Sequence, residues 1–315
     1  IGIHMTTTAT RESFGKALLE LGQQNPDIVV VGGDLNVSTF AHLFAKEFPN
    51  RFFDLGPAEQ NMMSIAAGLA ASGKIPFVST FAVFGTGRPY DQIRVNIAQM
   101  KSNVKIVCTH AGLLTGEDGI SAQSIEDIAL MCALPGFNVI VPSDGPETES
   151  VVKLAAEVCG PFYIRLSRPA TDVIHQIPAN FVLGKAEKLR SGSDLSIIAC
   201  GIMVSASLRA ATELANEGIQ ASVINMPTLQ PLDEKAVLNA LGTGAIVTAE
   251  EHYINGGLGS LIAQSAARQG AVPIEMVATT RYAESGKPDE LLTRYGLTSS
   301  DIVDAAKRVL GRKRH

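Results

Sequence analysis

A single carboxylate opens a helix that is otherwise built from small and apolar residues. The stretch 56–62 continues into 64–70, and this composition predicts a helix that begins near Ala58. Glu59 then lies in the first turn, where the helix dipole favours an acidic side chain. A helix this apolar is expected to be buried, and a buried carboxylate needs a partner or a raised pKa. Glu59 is therefore a candidate for acid–base chemistry as well as an ordinary first-turn acid.

Further polar and aromatic side chains follow the apolar runs of the first half of the chain. They lie at or just after the ends of these runs: Asp34, Thr80, Phe81, His110 and Arg165. In a parallel sheet, ligands bind beyond the carboxyl ends of the strands. The positions therefore predict one shared site at this edge of a sheet.

The elements that position these groups can be read from the hydrophobic pattern. Strands are predicted at 28–31, 77–78, 104–108, 139–141 and 162–164, with helical segments between them. A second series of alternating strands and helices follows a polar stretch at 169–192, which we interpret as a linker. The expected fold class is α/β. It has two domains, at 8–175 and 190–315, each a largely parallel sheet flanked by helices.

Composition argues against several classes of protein. The chain has 46% hydrophobic residues and a net charge of −5, which describe a compact α/β protein rather than a nucleic-acid binder. The sequence contains no apolar run long enough to span a membrane. The four cysteines lie far apart in apolar segments, which predicts reduced, buried thiols and a cytoplasmic location. Residues 1–4, ahead of Met5, are interpreted as a vector remnant.

The second domain offers few further candidate groups. Its most polar cluster is the triplet Glu250, Glu251 and His252. No other candidate group lies near this triplet in the sequence. We therefore interpret it as part of a structural loop.

The stretch around Glu59 resembles the signature of a known family. Gly-x-Ala-Glu-Gln-Asn-Met ahead of an Ala/Gly helix is similar to the motif of thiamine-diphosphate enzymes of the transketolase family. The resemblance extends from about Thr8 to Ala306, and it covers only the C-terminal half of the usual family protein. It implies a pyrimidine-binding domain followed by a small C-terminal domain. It also implies that Glu59 binds the aminopyrimidine ring of the cofactor and acts in catalysis.

The same resemblance implies further cofactor contacts. Phe81 and Phe84 match a Thr-Phe-x-x-Phe segment whose rings pack against the pyrimidine. Asp34 matches an acid that supports the cofactor at a subunit interface. Gly87 stands where an aromatic residue is typical of the family, so one wall of the pocket is expected to be altered.

Substrate contacts are implied in two groups. The pattern Thr-His…Gly-x-Glu-Asp-Gly-x-x-x-Gln assigns His110 and Asp118 to the sugar, although Ala122 replaces a family histidine. Four residues resemble a clamp for the sugar phosphate: Arg11, Ser38, His110 and Arg168. Guanidinium forks and a hydroxyl suit a phosphate dianion, so their joint match is more informative than any one of them.

The sequence lacks the segment with which family proteins bind the metal ion of the cofactor. Thiamine diphosphate needs a divalent cation, and family proteins hold it with a Gly-Asp-Gly…Asn segment that this chain does not reproduce. We therefore expect no metal ligand in this chain, with Mg²⁺ or Ca²⁺ held by an N-terminal transketolase subunit. The resemblance implies the C-terminal subunit of a split transketolase, with a homodimer core inside an α2β2 assembly. It would transfer a two-carbon ketol unit from a ketose phosphate to an aldose phosphate.

Other interpretations remain open from the sequence. A β-subunit of a 2-oxoacid dehydrogenase, or a ketol-forming synthase, would share the pyrimidine-binding architecture. A non-catalytic regulatory subunit could keep the fold. A plain nucleotide-binding protein has little support, because no Gly-x-Gly-x-x-Gly or P-loop follows a predicted strand.

Overall fold

A computed structural model describes residues 6–313 of the chain. The interpretation of residues 1–4 as a vector remnant lies outside the described residues. No helix in the described part is long and apolar enough to cross a membrane.

The strands are short and mostly buried. They are β1 (Thr7–Ala9), β2 (Ile28–Gly32), β3 (Phe52–Asp54), β4 (Ile75–Phe81), β5 (Lys105–Thr109), β6 (Asn138–Ile140), β7 (Phe162–Arg165), β8 (Ala170–Asp172), β9 (Glu187–Arg190), β10 (Leu195–Ala199), β11 (Ala221–Asn225), β12 (Thr228–Gln230), β13 (Ile246–Tyr253) and β14 (Ile274–Thr279).

The helices alternate with these strands. They are α1 (Thr10–Gln24), α2 (His42–Glu47), α3 (Glu59–Ala71), α4 (Ala82–Gly87), α5 (Tyr90–Gln92), α6 (Asp127–Cys132), α7 (Gly145–Glu157), α8 (Met203–Asn216), α9 (Glu234–Leu241), α10 (Leu258–Gln269), α11 (Pro288–Arg294) and α12 (Ser299–Gly311). A π-helical segment, Ile93–Gln99, continues α5, and short 3-10 turns occupy Pro49–Arg51 and Leu113–Asp118.

The first sheet has seven strands in the order β12-β6-β7-β5-β4-β2-β3. All neighbours are parallel except the edge strand β12, which pairs antiparallel with β6. Strands such as β2 and β5 are buried along their whole length. Their continuous apolar sequence follows from helices covering both faces of a parallel sheet.

The second sheet has five strands in the order β14-β13-β10-β11-β9. It is parallel except for β9, which pairs antiparallel with β11. Both sheets therefore have the largely parallel α/β architecture that the sequence predicts.

The predicted linker contains more structure than its polar sequence indicates. β8 pairs antiparallel with β1, and β9 joins the second sheet. In addition, β12 returns from the second half of the chain to the edge of the first sheet. Edge strands are half-solvated, so they lack the continuous apolar signal by which central strands are recognised.

Two further sequence interpretations are corrected. Glu250, Glu251 and His252 are not a loop but part of β13, and all three are buried. The thiols are not uniformly buried either, because Cys159 is exposed and Cys132 is half-buried.

Candidate functional site

Glu59 is the first residue of α3, and its side chain is only 5% exposed. Its carboxylate has a charged partner that the sequence did not indicate. The Nη1 atom of Arg88 lies 2.8 Å from Oε1 of Glu59. The guanidinium also stacks over the ring of Phe84, with its central carbon 4.1 Å from the ring centroid. The buried acid is therefore satisfied by a planar cation that rests on an aromatic face.

The helix that carries Glu59 is buried on one face only. Met62 and Met63 are fully buried, but Gly68 is exposed and Leu69 is half-buried. The expectation of a fully buried helix is therefore wrong for this chain. A concavity of about 570 Å³ opens at the N-terminus of the helix, lined by residues 57–61 and Arg88.

The aromatic residues connect this acid to the neighbouring strand ends. The sheet register places Phe81 beside Thr109, so His110 follows at the adjacent position. The ring of Phe81 stacks on His110 with centroids 3.7 Å apart, and on Phe84 with centroids 5.9 Å apart. A continuous series of contacts therefore leads from Glu59 through Arg88 and the two phenylalanines to His110.

His110 is held in an unusual conformation. Its φ of 56° lies in the left-handed region, which non-glycine residues seldom adopt and which is concentrated at functional sites. Its Nδ1 is 2.8 Å from the hydroxyl of Thr109, and its carbonyl accepts a hydrogen bond from the hydroxyl of Thr115. Burial and the positive charges of Arg11 and Arg168 lower the pKa of His110 to about 3. The imidazole is therefore neutral near pH 7.

The predicted clamp residues lie together. Arg11 donates from Nε to the carbonyl of Arg168 and from Nη1 to the carbonyl of Ser38, both at 2.8 Å. The contact to Ser38 is thus through its backbone and not its hydroxyl. Burial, followed by repulsion from Arg168, lowers the pKa of Arg11. Two guanidinium groups beside a neutral imidazole form a region that favours an anion.

Arg168 also contacts the loop that follows His110. Its Nη1 donates to the carbonyl of Thr115 at 2.6 Å, and it lies 3.6 Å from a carboxylate oxygen of Asp118 and 3.8 Å from one of Glu117. Both acids are exposed. Asp118 therefore lies at the rim of the clamp, where a hydroxyl-bearing ligand could reach it.

Asp34 is positioned by a residue that the sequence analysis missed. The carboxylate of Asp54 accepts hydrogen bonds from the backbone N–H of Asp34 and of Gly56 and from the side chain of Asn36. Burial opposes ionisation, yet these hydrogen bonds lower the pKa of Asp54. Asp34 itself has a φ of 60°. Asp54 thus ties the Asp34 loop to the turn that leads to Glu59, and its place at the end of β3 was the available signal.

Arg165 does not join this site, contrary to the prediction from its place at a strand end. It is buried, and its Nε donates to Asp127 at 2.8 Å. Its Nη2 donates to the carbonyl of Glu251 in the second domain at 2.9 Å. Tyr163 also donates to Asp127. The end of β7 therefore faces the second domain. The buried guanidinium of Arg165 needs polar partners, and the sequence analysis did not identify Asp127 and Glu251 as those partners.

A second cluster of ionisable groups lies at the start of α7. Ligand-type atoms of Asp144, Glu147 and His175 lie within 4.8 Å of one another. Asp144 caps α7 and accepts three hydrogen bonds from His175 and Ile174. Burial would lower the pKa of His175, but the hydrogen bond to Asp144 and the charges of Glu147, Asp144 and Glu187 raise it to about 9. The short contacts of His175 with Asp144 and Glu187 make this cluster an ion-paired junction.

Comparisons with known proteins agree with this architecture. The family model described as "Transketolase, pyrimidine binding domain" matches residues 6–173. The model described as "Transketolase, C-terminal domain" matches residues 184–302. A solved "Split gene transketolase, inactive beta4 tetramer" is 46% identical, with a TM-score of 0.91, over 98% of this chain and 100% of the other.

Curated relatives extend the likeness. A "Putative transketolase C-terminal section" of Methanocaldococcus jannaschii is 44% identical over 304 residues, which are 95% of each chain. A "6-deoxy-6-sulfo-D-fructose transketolase subunit" of Clostridium sp. (strain MSTE9) is 40% identical over 96% of this chain and 95% of the relative. The chain spans about half the length of the mouse and human transketolases that it also matches, 48% and 49% respectively.

The two largely parallel α/β domains are the architecture shared with these proteins. The chain belongs to the transketolase family, whose members are transferases. Within that family it corresponds to the C-terminal subunit of a split transketolase. The sequence-based prediction of family, fold and subunit type is therefore confirmed.

The residues around Glu59 fit the pyrimidine ring that the first family model names. Arg88 shows the fit directly, because its planar N–H-bearing group bonds the carboxylate while it stacks on Phe84. A flat heterocycle with ring and amino nitrogens could make the same two contacts. A Cβ added to Gly87 would meet no atom within 4 Å, so the chain leaves open space at this position.

Proposed function

We propose that this chain transfers a two-carbon ketol unit from a ketose phosphate to an aldose phosphate, as the C-terminal subunit of a two-subunit transketolase. The observation that carries the proposal is the continuous contact between Glu59, the phenylalanine pair and the anion-favouring cluster at His110. A cofactor ring bound at one end would then lie beside a sugar held at the other.

Thiamine diphosphate, when bound, supplies the electron sink for breaking and forming the carbon–carbon bond. Glu59 would hold the aminopyrimidine by a hydrogen bond between the nitrogen atoms of the ring system and its buried carboxyl group. Phe81 and Phe84 would form an apolar wall that excludes water from the ring. Asp34 would support the cofactor from the loop that Asp54 holds in place.

The positive charges of Arg11 and Arg168 indicate an anionic substrate. Arg11 and Arg168 would bind the anionic terminus of the sugar, Ser38 would contribute its hydroxyl, and the neutral imidazole of His110 would bond a sugar hydroxyl or carbonyl oxygen. Asp118 would accept from a further hydroxyl. The name of the Clostridium relative mentions a sulfo sugar. Sulfonate and phosphate present similar oxygens to a guanidinium, so we assign the class of anionic sugars.

One face of α3 offers a surface for a partner subunit. The half-exposed small-residue face of α3 lies next to the Glu59 concavity and would be covered by an N-terminal transketolase subunit. That subunit would hold Mg²⁺ or Ca²⁺ at the cofactor diphosphate. The related solved protein is described as an inactive β4 tetramer. By analogy with that self-association, we propose a homodimeric core within an α2β2 assembly. A cytoplasmic location stays a separate prediction from the unpaired cysteines.

Reconstitution tests the proposal. The purified chain alone, titrated calorimetrically with thiamine diphosphate and magnesium, is expected to bind weakly and to show no ketol transfer. Addition of the N-terminal subunit is expected to restore both binding and transfer. Micromolar cofactor binding or turnover by this chain alone would contradict the two-subunit function, and an inactive but assembled complex would favour a regulatory subunit.

A further inference from the structure

Glu251, in the second domain, reaches the loop that follows His110. It lies in β13, is 3% exposed, and belongs to the triplet for which the sequence offered no partner. Its Oε1 accepts a hydrogen bond from the backbone N–H of Leu114 at 2.7 Å, across 137 residues of sequence. The second domain thus contacts the backbone of the proposed substrate site.

The loop is shaped to receive this carboxylate. Gly112 has a φ of 76°, and a Cβ added there would lie 2.2 Å from the carboxyl carbon of Glu251. A side chain at this position is therefore excluded both by conformation and by space. Further along the loop, Cβ atoms added to Gly116 and Gly119 would meet Pro288 at 3.2 Å and Ser285 at 2.3 Å. The backbone of the loop thus packs directly on the second domain.

The side of Glu251 away from the loop faces Arg165. Arg165 lies 3.7 Å from Oε2 of Glu251 and donates to its carbonyl, while Asp127 fixes the guanidinium. Among the described residues, Oε2 of Glu251 has no hydrogen-bond partner. The loop bond through Oε1 is therefore the main directional contact of this buried acid.

The other side of the same loop carries the substrate groups. Thr115, the residue after Leu114, donates its hydroxyl to the carbonyl of His110 and accepts from Arg168 through its own carbonyl, each at 2.6 Å. One peptide unit therefore separates the contact with Glu251 from the contacts with the backbone carbonyl of His110 and with the guanidinium of Arg168.

We propose that Glu251 is a positioning residue through which the C-terminal domain holds His110 and Arg168 in register for the anionic sugar. The link to the sugar rests on the proposed function, whereas the hold on the loop does not. Removal of the carboxylate frees the Leu114 amide and loosens the Thr115 peptide. Binding of the anionic end of the substrate then weakens, while bond cleavage in the bound complex changes little.

The experiment compares three variants of the full chain by amide hydrogen exchange. Glu251→Ala is expected to speed exchange of the Leu114 amide about tenfold, the scale of a lost buried hydrogen bond. Glu251→Gln keeps an acceptor at Oε1 and is expected to retain most of the protection. Glu250→Ala is the matched control, because Glu250 binds the amides of Leu258 and Gly259 at the start of α10. It is expected to expose those two amides and leave Leu114 unchanged.

Kinetics of the reconstituted complex complete the test. Glu251→Ala is expected to raise KM for a ketose phosphate about tenfold and to raise that of the unphosphorylated ketose as well, because the loop holds His110 as well as Arg168. The value of kcat is expected to be nearly unchanged, and Glu251→Gln is expected to restore both KM values. The positioning role would be overturned if Glu250→Ala sped exchange of the Leu114 amide as much as Glu251→Ala does. It would also be overturned if Glu251→Ala failed to fold and Glu251→Gln folded but left the Leu114 amide unprotected. An inactive complex with the exchange pattern intact would refute the proposed function and leave the hold on the loop standing.

Discussion

The guanidinium of Arg88 and the carboxylate of Glu59 form an ion pair, with Nη1 and Oε1 2.8 Å apart, on the face of Phe84. In this chain by itself, Arg88 thus makes the two contacts that we propose for the cofactor ring. Glu59 and Arg88 are 29 residues apart in sequence. Strand β4 joins α3, which begins at Glu59, to α4, and Arg88 directly follows α4. The pair gives the buried acid a charged partner in the folded subunit.

Glu59→Gln is expected to abolish ketol transfer by the reconstituted complex while the fold is preserved. Glutamine keeps the shape and a hydrogen-bonding group, but it cannot act as an acid or a base, so the loss is expected to be about 10²-fold or more. Glu12→Gln is the matched control, since Glu12 is an exposed first-turn acid of α1 paired with Lys16. Near-normal turnover of Glu59→Gln would show that Glu59 is only an acid in the first turn of α3.

Arg88→Ala is expected to lower the free energy of unfolding of the isolated chain by about 1 kcal/mol, measured by urea denaturation. The variant leaves a buried carboxylate without its cation, although Arg88 is half exposed and water replaces part of the interaction. Arg94→Ala, which breaks an exposed pair with Asp91, is the control and is expected to change stability by less than about 0.5 kcal/mol. Equal effects of the two substitutions would show that burial of Glu59 does not strengthen its pair.

Arg168→Ala is expected to weaken binding of anionic sugars. Loss of a charged hydrogen bond corresponds to about 1.5–3 kcal/mol, or a rise in KM of roughly tenfold to hundredfold. The comparison of kcat/KM for a ketose 5-phosphate with that for its unphosphorylated analogue isolates this effect. Because Arg168 also bonds the carbonyl of Thr115, an equal loss for both sugars would assign it to the loop and not to the anion.

Stability is expected to fall at alkaline pH through His175. The pKa of His175 is about 9 in the folded chain, above the ordinary value of 6.5, so the folded state binds this proton more tightly than the unfolded state does. Its contribution is therefore fully present below pH 6.5 and is lost as the pH rises through about 9. Urea denaturation between pH 6 and pH 10 should show a steeper loss in the wild type than in His175→Gln. Parallel curves would contradict the raised pKa.

The sequence by itself determined the central strands of the sheets, the family and the residues proposed for the site. Continuous apolar runs at β2, β4 and β5 are recognisable because burial on both faces demands them. The position of Glu59 in the first turn of α3 follows from local composition. Short motifs also placed Phe81, His110 and Arg168 at strand ends or in loops that a parallel sheet brings together.

Only the tertiary structure decided which charges meet. Arg88 pairs with Glu59 across 29 residues, Arg165 contacts Glu251 across 86, and Glu251 reaches Leu114 across 137. A local pattern reports which face of an element is apolar, but it carries no information about which distant group satisfies a buried charge. Strong desolvation makes such a partner necessary, and its identity depends on how the two domains pack.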